Sequence, residues 1–343
     1  MLFAAAVLLV AAITVFYGMQ QYIVYEQDGL FLALPFLGQN ASGRDDAPST
    51  DDVVAELEII VTDFESIPAI VPENLTEIHA VNVPAESVTE AGLTAAVAKM
   101  EAVEANALVL EMKTTGGKLS WFSTVQLAAD YGVNGSLVIN DLIASLKEQN
   151  VYLIAKIPCC VDDLMAIRNA PLALRDSTGK TYSDESGAWL DPYNQEVRTY
   201  AAELGSELFA MGFDELLLTH VAHPDAEVIY TRELSTAQDR GTIVNNLALA
   251  VTDALRAEET AGVISAQLDP AVLRAAEGSV SENGQSTAFF WKIFDRVWCT
   301  SDGTILEADR AVCSGILGNE EDGSTRFVPI LPAKPETGSW QLS

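Results

Sequence analysis

The sequence predicts a (β/α)8 TIM-type barrel preceded by an N-terminal transmembrane helix and a linker, and three observations carry that expectation. From about residue 76 onward, short apolar runs alternate with helical patterns, the signature of repeated β-α units around a parallel sheet. The chain's 343 residues suffice for one such barrel and an extension. Leu2 to Phe16 is almost unbroken Leu, Ala, Val, Ile and Phe, and Tyr17 to Tyr25 prolongs it, enough for the roughly 20 residues of a bilayer crossing.

The organisation follows from these runs. Residues 1–25 read as a transmembrane anchor or an uncleaved signal, because no small-x-small cleavage site closes the run. The first basic residue is Arg44, so the usual positive-inside cue is missing. Residues 26–52, rich in Gly, Ser, Pro and Asp toward their end, read as a linker or stalk. Residues 53–343 then form the barrel, and the expected location is the cell membrane, single-pass, with the barrel extracytoplasmic.

Composition narrows the partners. At 49% hydrophobic and 20% charged, the chain has ample material for a large core. A formal charge of -30 with only 19 Lys plus Arg argues against nucleic acid, which needs basic clusters to replace counterions. No Gly-x-Gly-x-x-Gly follows the first strand and no P-loop occurs, so neither a nucleotide nor any cofactor is expected.

The predicted strands are Ile78 to Val83, Ala107 to Lys113, Val151 to Pro158, Asp214 to Val221, Val263 to Leu268, Arg296 to Thr300 and Phe327 to Leu331. An eighth is sought in Val53 to Thr62 or near Leu172 to Arg175. Helical spacing marks Gly92 to Glu104, Leu137 to Gln149, Gln195 to Met211 and Thr242 to Glu258, with shorter turns at Asp162 to Asn169 and Ala271 to Glu277. An open doubly wound sheet is the competing architecture.

Barrel chemistry sits on loops at the C-terminal strand ends. These ends read Leu110-Glu111-Met112-Lys113-Thr114-Thr115, Lys156-Ile157-Pro158-Cys159-Cys160, Thr219-His220-Val221-Ala222-His223-Pro224 and Gln267-Leu268-Asp269-Pro270. Asp214 and Glu215 open their strand, at the end away from these loops, which argues against a catalytic role.

The segments Asn106 to Lys113, Val151 to Ile157, Trp189-Leu190-Asp191-Pro192-Tyr193 and Gly212-Phe213-Asp214-Glu215, in this order and spacing, carry a family likeness. From about Ile78 to Pro332 the chain resembles the bacterial putative glycosyl hydrolase domain family, barrel proteins similar to glycoside hydrolases and often tethered to the cell surface. The resemblance implies an Ile-Asp-Val-Lys-Asp-Asp type ending on the second strand, where this chain has Thr114 and Thr115. It implies Asp-Tyr-x-Arg-Phe-Pro where Thr219 to Pro224 stand, and an Asp in place of Gln267.

Glycoside cleavage ordinarily needs two carboxyl groups, and Thr219 and Gln267 can supply neither. Alternation puts Glu111 and Lys113 on one face, so Glu111 stands beside a bound sugar with Lys113 holding it ionised, a binding arrangement and a poor general acid, and it is an acid candidate only if the catalytic carboxylates are relocated. Asp191 and Asp269 are the other candidate acids, though each precedes a proline and equally suits a turn or cap. Trp121 and Trp189 follow strand ends and offer flat faces for stacking on a sugar. Lys156, Tyr193, Thr219, His220 and Gln267 complete the candidate binding set.

No metal site is expected, since His220 and His223 are aimed apart by alternation and His79 is the only other histidine. Cys299 and Cys313 flank a polar loop that a disulfide would close, with buried thiols as the alternative. Three functions follow: a surface barrel that binds a glycan or cell-wall polymer with catalysis lost or much reduced, an active glycoside hydrolase using relocated acids, or a structural module of the envelope.

Overall fold

The computed structural model describes Ile23–Glu26, Gly29–Leu32 and, from residue 61, every residue except 62, 73–74, 227, 229–239, 260–261, 276–280 and 319. The chain divides into two compact units, Met1–Glu58 and Ile59–Ser343. In the first, Ile23–Glu26 pairs antiparallel with Gly29–Leu32.

The anchor expected over residues 2–25 therefore lies outside the described residues up to residue 22. Ile23, Val24 and Tyr25, placed at its end, belong to a strand, in keeping with the preference of β-branched and aromatic side chains for the pleated backbone. Gly29–Leu32, within the residues read as a linker or stalk, is also a strand. Among the described residues no helix is long and apolar enough to cross a membrane.

The second unit is a closed barrel of eight parallel strands. In chain order they are β1 (His79–Val83), β2 (Ala107–Glu111), β3 (Tyr152–Pro158), β4 (Glu215–Thr219), β5 (Val263–Leu268), β6 (Arg296–Thr300), β7 (Phe327–Leu331) and β8 (Trp340–Leu342). Each pairs with its sequence neighbours, and β8 closes on β1, which excludes the open sheet. All seven predicted strands are present, three with the predicted bounds and four with ends shifted by a residue or two.

The eighth strand is a correction. It is Trp340–Leu342, with only two apolar residues around Gln341, too short for any periodic signal. Ala170–Leu172 is a single 3-10 turn, while Ala173 and Arg175 make isolated bridges to Leu190 and Thr181. Residues 53–60 lie outside the described residues.

The helices needed to bury the outer strand faces are α1 (Glu90–Ala102), α2 (Asn140–Glu148), α3 (Gln195–Ala210), α4 (Arg240–Arg256), α5 (Thr287–Ile293), α6 (Leu306–Leu317) and α7 (Glu320–Arg326). The helix start at α1 is set by Thr89, whose side chain accepts from Gly92 N at 3.1 Å. Leu93, Ala96 and Met100 then form its buried stripe. Left-handed residues turn the chain back toward the sheet after α1, α2 and α3: Glu104 (φ 57°), Asn150 (φ 58°) and Gly212 (φ 105°). Between β7 and β8 no helix intervenes; Lys334 and Trp340 cover that stretch, with Lys334 Nζ 5.9 Å from the indole centroid.

Two cores result. A large one lies between strands and helices. A smaller one fills the barrel itself, with Ile78, Ala80, Ala107, Val109, Ile154, Leu217, Trp298 and Val328. Below it, at the N-terminal end, Glu215 is fully buried and accepts from Arg296, Ser265, Trp298 Nε1 at 3.0 Å and Tyr152 at 3.2 Å. That environment raises the Arg296 guanidinium above its ordinary value: burial works against the charge, and the Glu215 carboxylate and Tyr152 together outweigh it. This is the end of the barrel away from the loops, as the position of Glu215 in the sequence implies.

Candidate functional site

The inner core fixes which side chains face the mouth. Strand alternation carries Ala80, Val109, Ile154, Leu217, Ser265 and Trp298 upward to Asn82, Glu111, Lys156, Thr219, Gln267 and Thr300, while Gln341 lies between the outward Trp340 and Leu342. On β7 the inward Val328 is followed by Ile330, so the mouth is lined by amides, hydroxyls, one lysine, one carboxylate and one isoleucine.

Glu111 and Lys156 are register partners on β2 and β3. Lys156 Nζ lies 3.3 Å from Glu111 Oε1, with the two side chains 26% and 27% exposed. Ala85 N, just past β1, donates to Glu111 Oε2 at 3.4 Å. Glu111 is therefore held by a cation and a backbone amide.

Lys113 is not its partner. Met112 N and Lys113 N both donate to Lys156 O, at 3.0 and 3.4 Å, so the ladder is disrupted after Glu111 and alternation ends there. Lys113 turns into the protein, 2% exposed, where Nζ reaches Asp162 Oδ2 at 2.9 Å and Pro158 O at 3.1 Å and sits 5.3 Å from the Tyr200 ring centroid.

At the end of β4, Thr219 Oγ1 and His220 Nδ1 are 3.0 Å apart. The His220 ring meets Trp189 edge-on at 6.3 Å. Burial, with Lys156 and Lys113 nearby, pushes the His220 imidazole down to about 4, so it is neutral at pH 7. Trp189 is 5% exposed, with Nε1 donating to Asp184 Oδ2 at 2.8 Å; it supports His220 instead of presenting an open face.

The other candidates are dispersed. Asp191 is fully buried and accepts from Tyr193 N at 2.9 Å. Asp269 is exposed and accepts from Ala271 N at 2.7 Å, capping Pro270–Leu273. Both take the turn and cap roles that their prolines suggest. Trp121 is fully buried, with Nε1 donating to Glu207 Oε2 at 2.8 Å, and Tyr193 is buried with the Arg198 guanidinium 5.5 Å from its ring centroid. Neither offers a stacking platform.

Sequence reasoning missed three polar residues. Asn82 sits in an apolar strand where a polar residue is itself the signal, while Gln341 gave none because β8 was not recognised. Gln285 joins the ends of β4 and β5: Nε2 donates to Val221 O at 3.1 Å and Gln267 O at 3.3 Å, while Oε1 accepts from Asp269 N at 2.9 Å.

No group of three or more His, Cys, Asp or Glu suited to a metal ion occurs among the described residues. All four cysteines are free and buried. That corrects the disulfide envisaged between Cys299 and Cys313; packing in the outer core gives both the alternative role of apolar thiols, and burial pushes Cys299 up to about 12.

The fold is a closed (β/α)8 barrel, and sequence comparison makes it a glycoside-hydrolase-like domain. Residues 80–273 match the family described as "Putative glycosyl hydrolase domain", and the chain belongs to that family. No curated protein matches the chain. Among solved structures, a hypothetical protein from Ruminiclostridium thermocellum ATCC 27405 is similar at 21% identity and a TM-score of 0.48, over 54% of this chain and 96% of that one. A GH20 beta-N-acetylhexosaminidase from Streptomyces coelicolor A3(2) is 10% identical with a TM-score of 0.47, over 78% of this chain and 52% of the enzyme. An alpha-amylase from Lactobacillus plantarum is 14% identical with a TM-score of 0.44, over 74% and 61% respectively.

Proposed function

We propose that this barrel binds a carbohydrate at its mouth without cleaving it by the two-carboxyl mechanism. One observation carries the reading: of the inward positions at the strand ends, Glu111 alone is a carboxylate, and it is paired with Lys156 at 3.3 Å. The second carboxyl that hydrolysis requires has no counterpart at Thr219 or Gln267. What remains, amides and hydroxyls around one ion pair, is suited to hydrogen-bonding a polyol.

The apolar run at residues 2–16 supports a companion reading, in which the chain is anchored in a membrane and the barrel meets a glycan or cell-wall polymer outside the cell. The test is to screen the full-length protein in detergent against polysaccharides for retention and for reducing-sugar release. Retention without release is expected, with Glu111→Gln weakening binding about ten-fold through loss of a charged hydrogen-bond acceptor. Reducing-sugar release by the native protein that Glu111→Gln abolishes would instead make it an active hydrolase.

A further inference from the structure

Before β1 the chain crosses the outside of the barrel as a strap. Among the described residues, none from 61 to 78 belongs to a helix or strand. Val61 N donates to Asn246 Oδ1 at 2.9 Å, and Asn246 Nδ2 donates back to Val61 O at 2.9 Å. Phe64 meets Phe289 of α5 edge-on at 5.1 Å, and Phe64 and Ile67 pack on the outer core. Lys292 Nζ donates to Phe64 O at 3.2 Å and Glu65 O at 3.1 Å, while Ile70 N donates to Lys292 O at 2.8 Å. Asn246 lies in the first half of α4, toward the mouth, and Lys292 stands near the end of α5, just before β6. The strap therefore descends the flank of the helical shell before Thr76 O accepts from Arg296 at the floor, at 2.7 Å.

These attachments differ in kind from those that close the barrel. β8 pairs with β1 directly, so the strap contributes no strand pairing and its departure leaves the sheet complete. Two side chains, Asn246 and Lys292, make most of its hydrogen bonds to α4 and α5. A segment held by few contacts and no ladder opens at a lower free energy than the fold it rests on. Among the described residues, the Asn246 pair is also the first attachment the chain meets on its way to β1, so tension arriving from residues 1–60 falls on it first. A barrel that grips a polymer while tethered to a membrane would be under such tension.

We propose that residues 61–71 are a detachable clasp: pulled through the chain that precedes it, the strap leaves α4 and α5 while the eight-stranded barrel stays closed, so that load is relieved before it reaches β1. The use of such a clasp in a cell rests on the membrane-anchored reading above, and the clasp itself on the contacts just given.

Optical-tweezer pulling of the full-length protein in detergent tests this, with handles on Ser49→Cys ahead of the strap and on Ala254→Cys at an exposed position of α4. The four native cysteines are buried and stay unlabelled. A reversible first opening of up to roughly 50 Å, the extended length of the released strap, is expected below the force that unfolds the barrel. Asn246→Ala and Lys292→Met should each speed that opening about ten-fold at a fixed force, through the loss of two hydrogen bonds, and leave the later unfolding force unchanged. A single event in which strap and barrel go together, or a first opening that neither variant speeds, overturns the clasp. Recovery of the native protein in the soluble fraction of expressing cells would instead sink the anchored reading and leave the clasp standing, so the two failures are distinguishable.

Discussion

A left-handed φ of 52° at His220 turns the chain where β4 stops, a conformation that costs a non-glycine residue about 1 kcal/mol or more. The ring contacts with Thr219 and Trp189 hold it there. His223 three residues on is 2% exposed, and burial pushes its imidazole to about 4 as well. In the unfolded chain both rings take up a proton near the ordinary value of 6.5. Between pH 6.5 and pH 4 the unfolded state therefore binds more protons, and lowering the pH favours it. Their contribution is complete above about pH 6.5 and is lost on the way to pH 4. Thermal melts at pH 7 and 4.5 should show a fall in stability on the order of 2 kcal/mol from each of the two rings, and His223→Gln should remove about half of it. An unchanged slope in that variant would remove the histidines from the account. At this scale the sequence was legible where alternation held. It put Glu111 and Lys113 on one face, and that failed at Lys113 because two consecutive backbone amides share one carbonyl, an event that leaves no mark on side-chain pattern.

Elements were legible in proportion to their length and apolarity. The seven longer strands and α1 to α4 show clear periodicity, whereas β8 at three residues and the segments that became α5, α6 and α7 do not. β8 is specified by its neighbours: Trp340 N donates to Ile78 O, and Trp340 stacks on His79 at 5.1 Å. Close approach elsewhere depends on a missing side chain. A Cβ on Gly205 of α3 would stand 2.6 Å from Leu216 Cδ2 on β4 and 2.8 Å from Leu255 Cδ2 on α4. Gly205→Ala gains helix propensity of roughly 1 kcal/mol, but overpacking of 1–3 kcal/mol outweighs it. Net destabilisation in urea is expected; an equal or higher midpoint would mean that both leucines move aside freely.

For the whole molecule, the buried Glu215–Arg296 pair determines how the barrel tolerates change. Arg296 donates to Thr325 O at 2.8 Å and to Thr76 O at 2.7 Å as well as to Glu215, so it ties the strand floor to the segment entering β1 and to the end of α7. Glu215→Leu alone strands a buried guanidinium and should cost about 3–5 kcal/mol, whereas Glu215→Leu with Arg296→Met should recover much of that loss. Denaturant unfolding of the two variants measures the difference, and equal losses would show that the carbonyl contacts of Arg296 dominate. The same floor has a topological consequence. With Trp298 fully buried in the barrel interior and the ion pair beneath it, there is no through-passage along the axis. A polymer bound at the mouth as proposed above would therefore present an end or lie across the rim, because the packed barrel cannot be threaded.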